Sequence, residues 1–263
     1  MRGAATKNMR QATRYTPAPF SEQAEFFVTI DFDGTINELD VTDAVIKKFA
    51  RSGWQEAERL WEEGRIGSRE CLARQMALID VPLEHLVEYA CTHPIDPAFP
   101  DFMRLLRGAG IPFAIISDGF KPIINGILAE AGFSDLPVYA NDLLEDATGL
   151  KTIFPNTSGV CQSGTCKCKT ADLLAEGLPI VHIGDGRSDF CISRMAMHVF
   201  CRGKLTGYCV ENEIPHSTFT DFQGVQKALE TFLNGETLLS LEQGVGMGLS
   251  RSFVNQHPRG LAA

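Results

Sequence analysis

The apolar run Phe26-Phe-Val-Thr-Ile30 stops abruptly at Asp31-Phe-Asp33-Gly-Thr35. It is short, β-branched and aromatic, and a polar turn closes it, so it reads as a buried strand. Two later segments repeat the design. Pro112-Phe-Ala-Ile-Ile116 ends at Ser117-Asp118-Gly119, and Ile180-Val-His-Ile183 ends at Gly184-Asp185-Gly186-Arg-Ser-Asp189. Buried strands alternating with helices form a parallel sheet covered on both faces. Ligands of such a sheet sit outside the C-terminal ends of its strands. The chain is therefore expected to be α/β, Rossmann-like, with its polar residues gathered along one end of the sheet.

The intervening periodicity sets the organisation. Val41, Ala44, Val45 and Phe49 recur at helical spacing, as do Ala57, Leu60 and Trp61. Ser68 is placed as the N-cap of a helix carrying Leu72, Met76 and Ile79, and Leu83, Leu86, Val87 and Ala90 mark a fourth helix. Prolines from Pro94 to Pro100 end this block. Residues 40–97 thus read as a small all-helical insert, with 25–39 and 98–235 forming the core. Further on, Val138-Tyr-Ala140 reads as a strand and Leu143 to Phe154 as a hairpin. Thr170 to Glu176 and Ser188 to Met197 read as helices, His198 to Cys201 as a strand, and Phe222 to Leu233 as a last helix. Residues 236–263 show little periodicity and read as a tail.

Bulk composition narrows the function classes. With 263 residues, 44% of them hydrophobic, the chain can bury a full core. A formal net charge of −9 with no basic run argues against nucleic acid as a partner. No apolar run is long enough to span a bilayer. Residues 1–24 are basic at first and lack the apolar core of a secretory signal. A disordered extension is expected there, with a transit peptide as the alternative and Met9 as a second candidate start. The expected location is cytoplasmic, where most of the 8 cysteines would be reduced thiols. Oligomeric state is not legible.

Two carboxylates at one strand end can divide covalent phosphoryl transfer, one attacking phosphorus and the other handling protons. A phosphate dianion repels a carboxylate, so such a site needs a cation and a lysine. Mg²⁺, which takes a few carboxylates and keeps several waters, suits Asp31 and Asp185, with the Asp33 backbone carbonyl also well placed. Cys166-Lys167-Cys168-Lys169, at the start of a helix, offers two lysines.

This ordered set, from DxDGT through a strand-end Ser and a Lys to GDxxxD, resembles the haloacid dehalogenase superfamily of phosphohydrolases over most of residues 25–235. The resemblance implies Asp31 as the nucleophile that becomes an aspartyl-phosphate. It implies Asp33 as general acid and then base, Ser117 as a phosphate ligand, and Lys167, with Lys169 as the alternative, as the fixing cation. Asp31, Asp33, Asp185 and Asp189 would form the Mg²⁺ site. The helical insert marks the C1-capped, phosphoserine-phosphatase-like branch, subfamily IB. Cys161-Gln-Ser-Gly-Thr-Cys166-Lys167, Gly184-Asp-Gly-Arg-Ser-Asp-Phe-Cys191 and Asp40-Val-Thr-Asp43 look like the methionine-salvage enol-phosphate phosphatases and the phosphoethanolamine/phosphocholine phosphatases.

The implied partner is a small-molecule phosphomonoester. In the phosphoethanolamine/phosphocholine group, acids at the positions of Asp43 and Asp118 face the substrate's cationic end, which would favour an amine-bearing ester. The methionine-salvage group has Gly where this chain has Asp118, and Gly119 beside it completes the implied substrate contacts. Asp43 and Asp118 read equally well as a helix N-cap or turn acids. 2-Hydroxy-3-keto-5-methylthiopentenyl-1-phosphate and phosphoserine remain alternative substrates. A phosphomutase or a non-catalytic phosphate-binding regulator is the reading from another class, although pure binding does not require Asp33. Phe32-Asp33 after the nucleophile separates the chain from the transport ATPases, which carry Lys-Thr. Cys161, Cys166 and Cys168 lack a standard zinc spacing and an evident fourth ligand, so a packed thiol loop beside Lys167 is expected, whose oxidation would disturb that lysine. His182 reads as a core histidine, and Trp54 and Trp61 as packing or pocket-entrance residues.

Overall fold

The computed structural model describes residues 24–147 and 149–234. The expectations for the first 23 residues and for 236–263 lie outside the described residues. Seven strands form one sheet: β1 (Phe27–Ile30), β2 (Phe113–Phe120), β3 (Val138–Asp146), β4 (Gly149–Ile153), β5 (Ile180–Gly184), β6 (His198–Cys201) and β7 (His216–Thr218). Their order is β4-β3-β2-β1-β5-β6-β7, parallel except for β4, which pairs antiparallel with β3. The three strands with polar ends are thus the central neighbours β2, β1 and β5. The chain leaves β1 toward one side of the sheet and returns on the other, so β1 is the topological switch point at which a crevice opens.

Strand alternation divides the core between two faces. Val28 and Ile30 of β1, with Val181 and Ile183 of β5, pack into the larger cluster. That cluster also takes residues from helices α1 (Val41–Phe49), α4 (Leu83–Ala90), α5 (Phe99–Gly108), α6 (Lys121–Glu130) and α10 (Phe222–Leu233). Phe27 and Ile180 point the other way, onto Ala171 and Ala175 of α7 (Lys167–Ala175). Thr29 and His182 are on this second face, and Thr29 Oγ1 meets His182 Nδ1 at 2.9 Å. His182 is fully buried, in keeping with a core histidine.

Residues 41–90 hold α1, α2 (Trp54–Glu62), α3 (Ser68–Met76) and α4, with no strand of the sheet among them. Asp40 caps α1 by accepting from the Asp43 N–H at 2.7 Å, and Lys47 and Lys48 complement the dipole at its far end. Val41, Val45 and Leu86 join the same cluster as the sheet, so these helices pack onto the core and are not a free appendage.

Several boundaries differ from the sequence expectation. Gly67, not Ser68, precedes α3, which ends at Met76, short of Ile79. A Cβ at Gly67 would collide with Gln162, so close approach of two loops selects glycine there. β2 runs on through Ser117-Asp118-Gly119 to Phe120. The helix expected from Ser188 to Met197 is a 3₁₀ turn at Arg187–Asp189 followed by α8 (Phe190–Ser193). The Asp189 carboxylate draws the Asp185 and Gly186 N–H groups onto itself at 3.1 Å each, which tightens this turn. α9 (Gly203–Glu211) and β7 carry too few buried residues to show a period: Leu205 and Cys209 in the former, none in the latter.

Candidate active site

The ends of β1, β2 and β5, with residues of α1, α2 and α3, surround a cavity of about 630 Å³. Asp31 is the first residue past β1, 3% exposed. Its Oδ1 accepts from the Phe32 N–H at 2.7 Å, and its Oδ2 lies 2.7 Å from Lys167 Nζ. Lys167 is the first residue of α7 and fully buried, and Nζ also reaches Asp189 Oδ1 at 2.5 Å. Lys169, two residues on, turns outward to the Thr157 carbonyl at 3.4 Å. Residues two apart on a helix point to nearly opposite sides, so only one of the pair can face the sheet.

Asp189 is saturated. Beyond Lys167 and the two backbone N–H groups, His182 Nε2 approaches its Oδ1 at 3.0 Å. Burial alone would raise its pKa, but Lys167 and then His182 hold it far below the usual carboxylate range. Burial works against the charge of Lys167 as well, but Asp189 and Asp31 keep its pKa above the ordinary lysine value. One ammonium therefore serves two carboxylates, and Asp189 has the larger share. Asp31 is left with its pKa well raised, by burial first and by repulsion from Asp189 second. Asp185, at the end of β5, is pushed up to about 6, again by burial and then by Asp189.

This imbalance tests the site for a cation. Oxygens of Asp31, Asp185 and Asp189 all lie within 4.8 Å of one another. Three clustered carboxylates face one buried ammonium, and the surplus charge falls on Asp31 and Asp185. Gly34, with φ +70, lies so close to the Asp185 carboxylate that any Cβ there would collide with it. The backbone thus cradles an acid whose side chain is not used up by a hydrogen bond among the described residues. An oxygen-preferring divalent ion fits this donor set, with Asp31 and Asp185 as the open carboxylates and Asp189 as their support.

Asp33 stands apart from that group. Its Oδ1 accepts from the Val41 N–H at 2.9 Å and its Oδ2 from Thr42 Oγ1 at 2.7 Å, so its carboxylate faces the start of α1. Burial raises its pKa, and the bonds from Thr42 and Val41 hold the rise in check. Of the four acids expected to hold metal, Asp33 therefore has only its backbone carbonyl to offer. Ser117 is buried on β2, and its Oγ accepts from the Gly119 N–H at 2.9 Å. A Cβ at Gly119 would meet Asp33 Oδ2 at 2.6 Å and Thr42 Oγ1 at 2.9 Å, so this glycine leaves room for Asp33.

Asp43 and Asp118 both line the cavity, but neither carboxylate is free. Asp43 pairs with Lys47 one turn along α1. Asp118 Oδ1 accepts from the Thr165 N–H at 2.7 Å and from Asn141 Nδ2 at 3.3 Å, and its Oδ2 takes the hydroxyl of Ser68. Asp118 thereby ties α3 to the core. Trp54 and Trp61 of α2 form part of the same wall.

Other supporting residues escaped the sequence reading. Arg202 follows β6 and donates to the carbonyls of Gly34 at 2.7 Å and Thr35 at 3.1 Å, pinning the turn after β1. Its signal was a fourth polar strand end. Arg187 lies over the Trp61 ring at 5.5 Å and donates to the Trp61 and Glu62 carbonyls at 3.0 Å. In the sequence it stands only as an unassigned position inside Gly184-Asp-Gly-Arg-Ser-Asp189.

A family model described as haloacid dehalogenase-like hydrolase matches residues 28–194. The 2-hydroxy-3-keto-5-methylthiopentenyl-1-phosphate phosphatase of Brevibacillus brevis is 30% identical over 207 residues, covering 76% of this chain and 93% of that protein. The enzyme of the same name from Geobacillus thermodenitrificans is 27% identical, with the same coverage of each. Among solved structures, phosphoserine phosphatase from T. onnurineus matches with a TM-score of 0.59 at 15% identity, over 80% of this chain and 97% of that one. A phospho-aspartyl intermediate analogue of phosphoserine phosphatase matches with a TM-score of 0.55 at 17% identity, over 78% and 99%. At such identities the structures speak for the fold alone, and the fold is that of the phosphoserine phosphatases. The matched model spans both the DxDGT turn and the GDxxxD loop, and the chain belongs to the haloacid dehalogenase-like hydrolases.

Proposed function

We propose that this chain is a Mg²⁺-dependent phosphomonoester hydrolase that works through an aspartyl-phosphate on Asp31. The observation that carries the reading is the buried Lys167 ammonium, 2.7 Å from Asp31 Oδ2, in a site where Asp33 is held separately by Val41 and Thr42. Asp31 is the nucleophile, and Lys167 screens its charge and orients it toward phosphorus. Ser117 Oγ binds a phosphate oxygen. Asp33, with its raised pKa, gives a proton to the leaving alcohol and then takes one from the water that cleaves the acyl-phosphate. Mg²⁺, held by Asp31, Asp185 and the Asp33 carbonyl with Asp189 behind them, supplies neutralisation of the phosphate dianion.

In this reading residues 40–97 are the cap over a core of 25–39 and 98–235, and the cap chooses the alcohol. Relatives up to 30% identical are named for 2-hydroxy-3-keto-5-methylthiopentenyl-1-phosphate, so that ester heads the substrate panel. Phosphoserine and amine-bearing phosphomonoesters follow it, the latter for Asp43 at the cavity wall. Asp118 is already bound to Ser68, Thr165 and Asn141, which supports a cap-holding role over direct substrate contact. The test is release of inorganic phosphate across the panel with Mg²⁺. Wild type should turn over at least one ester and Asp31→Asn none. A wild-type chain inert on every ester would sink the proposal.

A further inference from the structure

Eight cysteines are free, and four of them gather around the first turn of α7. Cys161 comes from the loop before it, Cys166 and Cys168 flank Lys167, and Cys191 arrives from α8. The Cys166 and Cys168 sulfurs are 3.5 Å apart. The Cys161 thiol donates to Cys166, and the Cys168 thiol donates to Cys191. The fourth thiol that the sequence did not reveal thus lies 23 residues beyond Cys168. The four sulfurs do not draw together as one ligand set: among the described residues the one group of three or more His, Cys, Asp or Glu with ligand atoms mutually within 4.8 Å is Asp31, Asp185 and Asp189.

We propose that Cys166 and Cys168 are a reversible oxidation site, whose disulfide closes a ring around Lys167 and switches the active site off. A disulfide needs sulfurs about 2.05 Å apart, so the pair at 3.5 Å must approach by about 1.5 Å. Cys168 is partly exposed and opens the pair to a small oxidant, but its hydrogen bond to Cys191 and burial hold its thiol above the ordinary value, so the buried Cys166 is the sulfur that attacks and Cys168 the one that resolves. Burial pushes the Cys166 thiol up, but hydrogen bonds from Ser158, the Lys169 N–H and two neighbouring thiols outweigh it and bring the pKa below the ordinary value. The Cys166 thiol is converted by a hydroperoxide to a sulfenic acid, and the peroxide leaves as water or an alcohol. The Cys168 sulfur then displaces hydroxide, which departs as water. Two thiols lose two electrons and two protons, and one O–O bond is reduced. A dithiol reverses the step by exchange.

The consequence for the site is geometric. Lys167 is the only residue between the two cysteines, so its backbone is part of the ring. That backbone is set by the first turn of α7, with the Thr170 N–H on the Cys166 carbonyl at 3.0 Å and the Cys166 N–H on the Asn156 carbonyl at 2.8 Å. Drawing the sulfurs together distorts this turn. The ammonium then leaves its two short contacts with Asp31 and Asp189, which tolerate little displacement.

The activity arm of the test rests on the proposed hydrolase function; the mapping arm does not. The full chain is treated with hydrogen peroxide, alkylated and mapped without reduction, while phosphate release is followed. Expected are a Cys166–Cys168 bond, a loss of activity of tenfold or more, and its recovery with dithiothreitol. Cys168→Ser should keep the basal activity and resist peroxide, and Cys191→Ser should stay as sensitive as wild type. A bond to Cys191 instead, full activity with the bond formed, or a Cys168→Ser chain as sensitive as wild type overturns the proposal. A reduced chain that never releases phosphate indicts the proposed function, and mapping then still decides the disulfide.

Discussion

Asp185→Asn should make the metal-free protein more stable. The folded chain holds the Asp185 carboxyl at about 6, against an ordinary value of 3.8. Between those values the folded state keeps a proton that the unfolded state has lost. Stability therefore falls as pH rises through the window from about 4 to 6, and the whole penalty is present above it. A shift of roughly two units at 1.36 kcal/mol each is worth about 3 kcal/mol. In a domain of this size that moves Tm by about 6 to 12 °C. An amide matches the shape of the protonated acid and never ionises. In EDTA at pH 7.5, the Asp185→Asn variant should thus melt higher than wild type by about this margin, and at pH 4 the two should coincide. Added Mg²⁺ should raise the wild type's Tm and leave the variant's unchanged, because the lost charge is the one the ion would neutralise. Thermal denaturation by circular dichroism at the two pH values, with EDTA or Mg²⁺, reads all of this. A variant less stable than wild type in EDTA at pH 7.5, or a difference that does not change with pH, would refute the surplus-charge argument.

Two other substitutions probe the frame of the site. Gly34→Ala forces a side chain onto φ +70 and into the Asp185 carboxylate; it should cost about 2 kcal/mol or more and abolish Mg²⁺-induced stabilisation, both measured by thermal melts. Ser68→Ala removes the hydroxyl that Asp118 holds and should loosen α3 from the core by about 2 kcal/mol, seen as a KM raised tenfold or more with kcat little changed. An equal fall in kcat would place Ser68 in the chemistry and not in the clasp.

The strand-end acids of the candidate site were legible in the sequence, and the partners of the acids on its other wall were not. Asp31, Ser117 and Asp185 each follow an apolar run that announces a strand, and strands of this kind deliver their ends to one crevice whatever lies between them. Asp43 and Asp118 have no such constraint. Asp118 differs from Ser117 by one position on β2, but that position turns it toward Ser68, Asn141 and Thr165, 50, 23 and 47 residues away. No local pattern encodes those partners. Arg202 escaped notice for the same reason, since its carbonyl acceptors lie 168 and 167 residues back in the chain.

By itself the sequence determined the parallel α/β architecture, the strand ends that carry acids, and the order of the residues that converge. Burial period and strand-stopping turns are local properties, so they can be read one segment at a time. Only the tertiary structure decided which lysine faces Asp31, because the rotation of α7 depends on what its Ala171 and Ala175 pack against across the sheet. It alone separated Asp33 from the other acids, through the start of α1, and brought Cys191 to the thiols beside Lys167. Charge and distance act through space, and the groups that set them here are brought together by packing from segments far apart in the chain.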